Sequence, residues 1–156
     1  MIILEIPGSD SRAIEHLVLD YNGTLAQDGN LLPGVAQSLH TLSARLAIHV
    51  LTADTFGGCA RELQGLPLTL SVVPSVRQDE HKKNYVSVLG PHACVCIGNG
   101  RNDCLMLESA AVGIAVIQQE CASSAALRCA DIIAPDILAA LGLLHHPLRL
   151  AATLRR

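Results

Sequence analysis

The chain has no tryptophan, one phenylalanine and two tyrosines among its 156 residues. With aromatics at 2% and apolar residues at 50%, its core must be assembled from Leu, Val, Ile and Ala. Lysine occurs only at Lys82 and Lys83, and the one other Lys/Arg pair is the terminal Arg155-Arg156. A net charge of −3 with no basic cluster argues against nucleic acid as a principal partner. Charge, proline or glycine breaks every apolar run before it reaches membrane length, so no membrane partner is expected. The start, Met1 to Pro7, is too short for a signal peptide and lacks its basic residues. A soluble, cytoplasmic protein is the expectation. The six cysteines (Cys59, Cys94, Cys96, Cys104, Cys121 and Cys129) contain no C-x-x-C pair, which favours buried free thiols over a soft-metal site. There is no internal repeat, low-complexity tract or linker, and residues 1–156 are expected to form a single domain.

What is present is an alternation of short apolar runs with helical patterns. Ile2 to Ile6 and His16 to Asp20 read as strands, the short connection suggesting an antiparallel hairpin. A polar loop, Gln27-Asp28-Gly29-Asn30, leads to a helix opened by Pro33-Gly34 with Val35, Leu39, Leu42 and Leu46 on one stripe. Further strands are expected at Leu46–Leu51, Leu68–Val73, Ala93–Ile97, Val112–Ile117 and Asp131–Ile133. The helical segments between and after them are Cys59–Leu63, Gln78–Leu89, Met106–Ala110, Cys121–Cys129 and Asp136–Leu144, with a tail helix after Pro147. Such alternation predicts an α/β fold, a mainly parallel sheet with helices on both faces.

The organising stretch is Leu17-Val18-Leu19-Asp20-Tyr21-Asn22-Gly23-Thr24-Leu25. An apolar run ending in a carboxylate, then a Gly-Thr turn, is how a buried parallel strand delivers one acid to the carboxyl edge of its sheet. There Asp20 could attack a phosphoryl group or bind a metal. Aligned strands would bring Thr52 and Asp54, and Asn99, Asn102 and Asp103, to the same rim, and Lys82 or Lys83 from the preceding helix. In phosphoryl transfer Thr52 would hold a phosphate oxygen through hydroxyl and backbone N–H. A lysine would neutralise shared charge, and Asp103 with Asp20 would hold a hard cation such as Mg²⁺. Taken singly each has a plainer reading: Thr52 and Asp54 as caps, the lysines as solvated helix residues, Gly98-Asn99-Gly100 as a turn.

In order and in context, these residues resemble the haloacid dehalogenase-like (HAD) superfamily. The matching motifs are Leu-Asp-Tyr-Asn-Gly-Thr-Leu from Leu19, Leu-Thr-Ala-Asp from Leu51, the Lys82 region, and Gly-Asn-Gly-Arg-Asn-Asp from Gly98. The form of the first and last, with Ala111 to Val116 and Ala130 to Ile133 after them, is similar to the phosphorylation domain of P-type ATPases, in a stand-alone, soluble version. The resemblance spans roughly residues 16 to 140. It implies a three-layer Rossmann-like HAD fold and Mg²⁺-dependent phosphohydrolase or phosphotransferase chemistry through an aspartyl-phosphate on Asp20. Asp20, Asn22, Thr52 and Lys82 would be the catalytic residues, with Asp20, Thr52, Ala53 and Lys82 holding phosphate. Asp20, the Asn22 backbone carbonyl, Asp103 and Asn99 would hold the metal. Lys82 fits the spacing to Val86 and Leu89 better than Lys83.

No long insertion lies between Thr24 and Thr52 or between Thr52 and Lys82, so no cap domain is expected. An open site of this kind takes a small phosphorylated substrate, accepts a larger one, or borrows a lid from a neighbouring subunit; the apolar tail could support a homo-oligomer. Two departures bear on turnover. Asn22 stands where HAD phosphatases carry an acid/base Asp, and it cannot shuttle a proton. Asn99 stands where the ATPase motif has Asp. Both also suit an alternative, a catalytically weak regulatory or phosphate-binding module, and a third reading is an HAD fold used as an oligomeric scaffold. No Gly-x-x-x-x-Gly-Lys-Ser/Thr loop is present, so ATP hydrolysis does not follow from the likeness.

Overall fold

The computed structural model describes residues 1–53 and 58–155. Asp54, one of the expected rim residues, lies outside them.

The central sheet contains β3 (His16–Asp20), β6 (Ala47–Thr52), β7 (Thr69–Val72), β8 (Cys94–Gly98), β9 (Val112–Val116) and β10 (Ile132–Ala134). These six run parallel in the order β10-β9-β8-β3-β6-β7. Strand β3 is therefore central, with β6 and β8 on either side. Its Leu17, Val18 and Leu19 are all fully buried, as a strand covered on both faces requires. The helices are α1 (Val35–Leu42), α2 (Cys59–Glu62), α3 (Gln78–Leu89), α4 (Cys104–Ser109), α5 (Ser124–Cys129), α6 (Ile137–His145) and α7 (Pro147–Leu154).

Alternation along the strands divides the core in two. Leu17, Leu19, Val50, Val95 and Ile97 join the larger cluster, with Val35 and Leu39 of α1 and Leu141 and Leu144 of α6. Val18, Leu51, Cys94 and Cys96 face the other way, against Val86 of α3 and Met106 and Leu107 of α4. Cys94 and Cys96 thus share one face, as the sequence predicts, and burial raises both thiol pKa values. The uniform expectation of buried cysteines fails elsewhere: Cys104 and Cys129 are half-buried and Cys121 is exposed.

A polar chain crosses the second face. His16 Nδ1 lies 3.1 Å from His49 Nε2, and His49 Nδ1 lies 3.0 Å from the Tyr85 hydroxyl of α3. Burial, and then the neighbouring His16, lower the His49 pKa and favour neutral imidazole. Tyr85 sits one helical turn from Lys82, so this chain pins the helix that carries the lysine.

Two expectations about hairpins are corrected. The partner of β1 (Ile2–Leu4) is β2 (Arg12–Ile14), antiparallel in a separate two-stranded sheet, and not His16–Asp20. Ile14 and Ile2 are both fully buried in the larger cluster, so that small sheet extends the core without joining the main one. The loop Gln27–Asn30 is itself a hairpin, joining β4 (Ala26–Gln27) to β5 (Asn30–Leu31). Its tip, Asp28-Gly29, has φ of 51° and 80°, the double positive-φ turn that Asp-Gly favours between antiparallel strands.

No inserted domain occurs among the described residues between β3 and β6 or between β6 and α3. No single described helix is long and apolar enough to cross a membrane, and α6 and α7 meet at 104°.

Candidate functional site

Pairing register sets the site. Asp20 pairs with Leu51 of β6, and Leu19 pairs with Ile97 of β8, so Asp20, Thr52 and Asn99 emerge at one rim. Alternation places Asp20 on the same face as Val18, the face that α3 covers. Val86, one turn beyond Lys82, anchors α3 in that core. Lys82 therefore points at Asp20, while Lys83 faces solvent.

Lys82 is fully buried, and its ammonium donates to Asp20 Oδ1 at 2.5 Å and to Asp103 Oδ1 at 2.6 Å. Asp103 is also fully buried and Asp20 is 6% exposed. The other oxygen of Asp103 accepts from the backbone N–H groups of Asn99 at 3.0 Å and Gly100 at 2.8 Å. Gly98 makes room for this: a Cβ there would meet Asp103 Oδ2 at 2.5 Å. The other oxygen of Asp20 lies 3.1 Å from the Thr24 hydroxyl, which also approaches Asn99 Oδ1 at 3.3 Å.

Two carboxylates and one ammonium leave a buried excess of one negative charge when all are ionised. Burial, then the Asp103 charge, push the Asp20 carboxyl up to about 6 against the opposing pull of Lys82. For Lys82 burial acts downward, but the charges of Asp103 and Asp20 outweigh it and hold its pKa above the ordinary value. The lysine stays charged, and the strain falls on the aspartate.

The remaining expected residues divide. Thr52 is buried at the end of β6, with Ala53 half-buried beside it. Asn22 Oδ1 is buried and has no hydrogen-bond partner. The Asn99 amide donates to the Cys121 carbonyl at 2.9 Å. Asn102 does not join the cluster; its amide donates to Gln78 Oε1 on α3 at 2.8 Å. Thr24 and Gln118 were missed. Gln118, in the loop after β9, donates to the carbonyls of Gly23 at 2.9 Å and Thr24 at 2.7 Å and accepts from Ile137 N–H at 2.9 Å. Thr24 had a signal, being the hydroxyl four residues beyond Asp20 in a tight turn; Gln118 had none.

Among the described residues, no group of three or more His, Cys, Asp or Glu side chains could enclose a metal. A site for Mg²⁺ does not require one, since that ion binds through one or two carboxylates and keeps several waters. Asp20 and the orphaned Asn22 Oδ1, two residues further along the chain, are hard oxygen donors of the kind such an ion takes. Asp103 offers a further donor: its Oδ1 holds only Lys82 and, like the two Asp20 oxygens, keeps a lone pair for an ion.

The strand order with Asp20 at its centre, and Lys82 reaching that residue from α3, define a three-layer α/β protein of the HAD fold. No protein-family model matches the chain. It is 48% identical over 61 residues to the uncharacterized protein MJ0073 of Methanocaldococcus jannaschii, covering 39% of this chain and 66% of that one, just under two thirds. It is 46% identical over 39 residues to the uncharacterized protein MJ0072 of the same organism, covering 25% of this chain and 89% of that one, and this chain belongs to one family with MJ0072.

Solved structures give the fold. A cobalt-bound deoxy-D-mannose-octulosonate 8-phosphate phosphatase from Haemophilus influenzae has a TM-score of 0.72 at 12% identity, covering 89% of this chain and 91% of its own. The corresponding phosphatase from Moraxella catarrhalis, in complex with magnesium, phosphate and the sugar acid KDO, has a TM-score of 0.69 at 16% identity over 90% and 89%. A zinc-transporting PIB-type ATPase in its E2.Pi state has a TM-score of 0.57 at 26% identity, over 80% of this chain and 20% of that one. The likeness to P-type ATPases is thus looser than the likeness to HAD phosphatases.

Proposed function

We propose that the chain is an HAD-type phosphohydrolase or phosphotransferase that forms an aspartyl-phosphate on Asp20. The carrying observation is the fully buried Lys82 ammonium, held at 2.5 Å and 2.6 Å between Asp20 and Asp103 on the open rim of a parallel sheet. Burying three charges to leave one unbalanced carboxylate is poor structural design, since apolar residues of similar volume pack at least as well. It is sound preparation for an incoming phosphoryl group, which needs a carboxylate to attack it and a cation beside it.

In this reading a carboxylate oxygen of Asp20 bonds to phosphorus and the ester oxygen leaves with its electron pair. Lys82 stays protonated and neutralises charge shared between Asp20 and the phosphoryl oxygens. Asp103 orients Lys82 and would join the metal shell. Thr24 fixes the Asp20 rotamer, and Thr52 with the Ala53 backbone receives phosphate oxygens. Asp20 and Asn22, with Asn99 beyond them, would hold Mg²⁺, which supplies charge stabilisation when bound. Water then attacks the aspartyl-phosphate and releases phosphate. Asn22 can neither donate a proton to the leaving oxygen nor take one from water, so the first step favours activated esters and the second is slow whatever the ester.

The substrate is a phosphorylated small molecule reached from an uncapped rim. A second reading, a switch that accepts phosphate and does not release it, draws its support from the same Asn22. The test is release of phosphate from p-nitrophenyl phosphate by the wild type and Asp20→Asn, with Mg²⁺ and with a chelator. Release that requires both Mg²⁺ and Asp20 is expected; release that survives Asp20→Asn overturns the assignment.

A further inference from the structure

A cavity of about 480 Å³ opens on the same rim and is used by no step above. It lies between the β4–β5 hairpin and the loops that follow β9 and β10. Its volume falls within the range of small-molecule sites. Leu32, Ile117 and Leu138 supply apolar wall, with Ile117 42% and Leu138 44% exposed. Its charged lining residues are Glu120 and Asp136, and no lysine or arginine lines it. Such a wall repels a second phosphate or a carboxylate and receives alkyl, aryl or amine-bearing groups.

The cavity is continuous with the Asp20 loop. Gly23 forms part of its lining, and three chain steps separate Gly23 from Asp20, a span of at most about 11 Å. Gln118, another lining residue, grips the Gly23 and Thr24 carbonyls. One molecule can therefore present a phosphate to Asp20 and lay its remainder in the cavity.

Resting on the phosphoryl-transfer reading, we infer that the cavity is the leaving-group subsite, and that the substrate is a monophosphate ester of a largely apolar, uncharged or amine-bearing alcohol. Sugar acids and other leaving groups with a second negative charge are disfavoured. The leaving oxygen departs with the electrons of its bond to phosphorus and takes its proton from solvent.

The test compares kcat/KM for ethyl phosphate, hexyl phosphate, 6-aminohexyl phosphate and 6-phosphonooxyhexanoate. Each fully buried methylene adds roughly fourfold to binding, so hexyl and aminohexyl esters should exceed ethyl phosphate by about tenfold or more, and the carboxylate ester should not. Leu138→Lys puts a cation in the cavity wall and should reverse the preference between the amine and carboxylate esters. A separate arm titrates 1-hexylamine into Asp20→Asn and follows the Ile117 and Leu138 methyl resonances, which needs no turnover. Selective shifts there, with neither these esters nor p-nitrophenyl phosphate hydrolysed by the wild type, would overturn the phosphoryl-transfer reading but keep the ligand class of the cavity. Equal kcat/KM across the four esters, or unmoved methyl signals, would overturn the inference.

Discussion

Asp20→Asn should stabilise the metal-free protein above neutral pH while removing its chemistry. The carboxyl of Asp20 has an ordinary value of 3.8 and is pushed up to about 6 in the fold. A raised carboxylate is better tolerated protonated, so its contribution to stability is most favourable below pH 3.8 and declines as pH rises through 6. The difference of about 2 pH units corresponds to roughly 3 kcal/mol against the ionised form. Asparagine resembles the neutral acid in shape, keeps an oxygen for Lys82 and ends the repulsion with Asp103. Part of the gain is lost as Lys82 gives up one charged partner, so a net gain of roughly 1–3 kcal/mol is expected. For a chain of this length that raises Tm by roughly 2–10 °C. Thermal unfolding of both proteins at pH 7.5 and pH 4, in chelator, reads it directly. The gain should be present at pH 7.5 and gone near pH 4, and Mg²⁺ should narrow it by stabilising the wild type alone. A variant less stable than the wild type at pH 7.5, or a gain independent of pH, would refute the charge accounting.

Other outcomes follow from the same geometry. Lys82→Met leaves Asp20 and Asp103 buried without a counter-charge and should cost about 3–5 kcal/mol in urea unfolding, together with all activity. Gly98→Ala places a methyl against Asp103 and should cost about 1–3 kcal/mol by the same measurement, with reduced turnover because Lys82 loses its holder. Asn22→Asp supplies the missing proton carrier and should raise phosphate release from p-nitrophenyl phosphate by about 10²-fold or more; unchanged turnover would show that proton transfer does not limit the rate.

The parallel fold was legible because buried strands such as Leu17–Leu19 and Cys94–Ile97 announce themselves as unbroken apolar runs, and helices such as Val35–Leu42 by an apolar stripe at helical period. Arg12–Ile14 was not legible as a strand: three residues with one charge carry no periodicity, and only its partner β1 makes it extended. The β4–β5 hairpin was hidden by brevity, although its Asp-Gly turn was in plain view. At the site, Asp20 and Lys82 could be read from strand and helix context, because register and helical phase are local properties. Asp103 could be read as a rim residue but not as the holder of Lys82, since that contact joins segments 21 residues apart. Gln118 was invisible, since its partners Gly23 and Thr24 lie 95 and 94 residues away.

The most direct test of the central claim is the mass of the protein itself. Wild type and Asp20→Asn, each incubated with Mg²⁺ and acetyl phosphate and quenched in acid, would be compared by intact mass and then by peptide mapping. One added phosphoryl group on the peptide that contains Asp20, absent from Asp20→Asn, is the predicted result. A folded wild-type protein that gains no phosphoryl mass and releases no phosphate, or one labelled on another residue, would contradict an aspartyl-phosphate mechanism at Asp20.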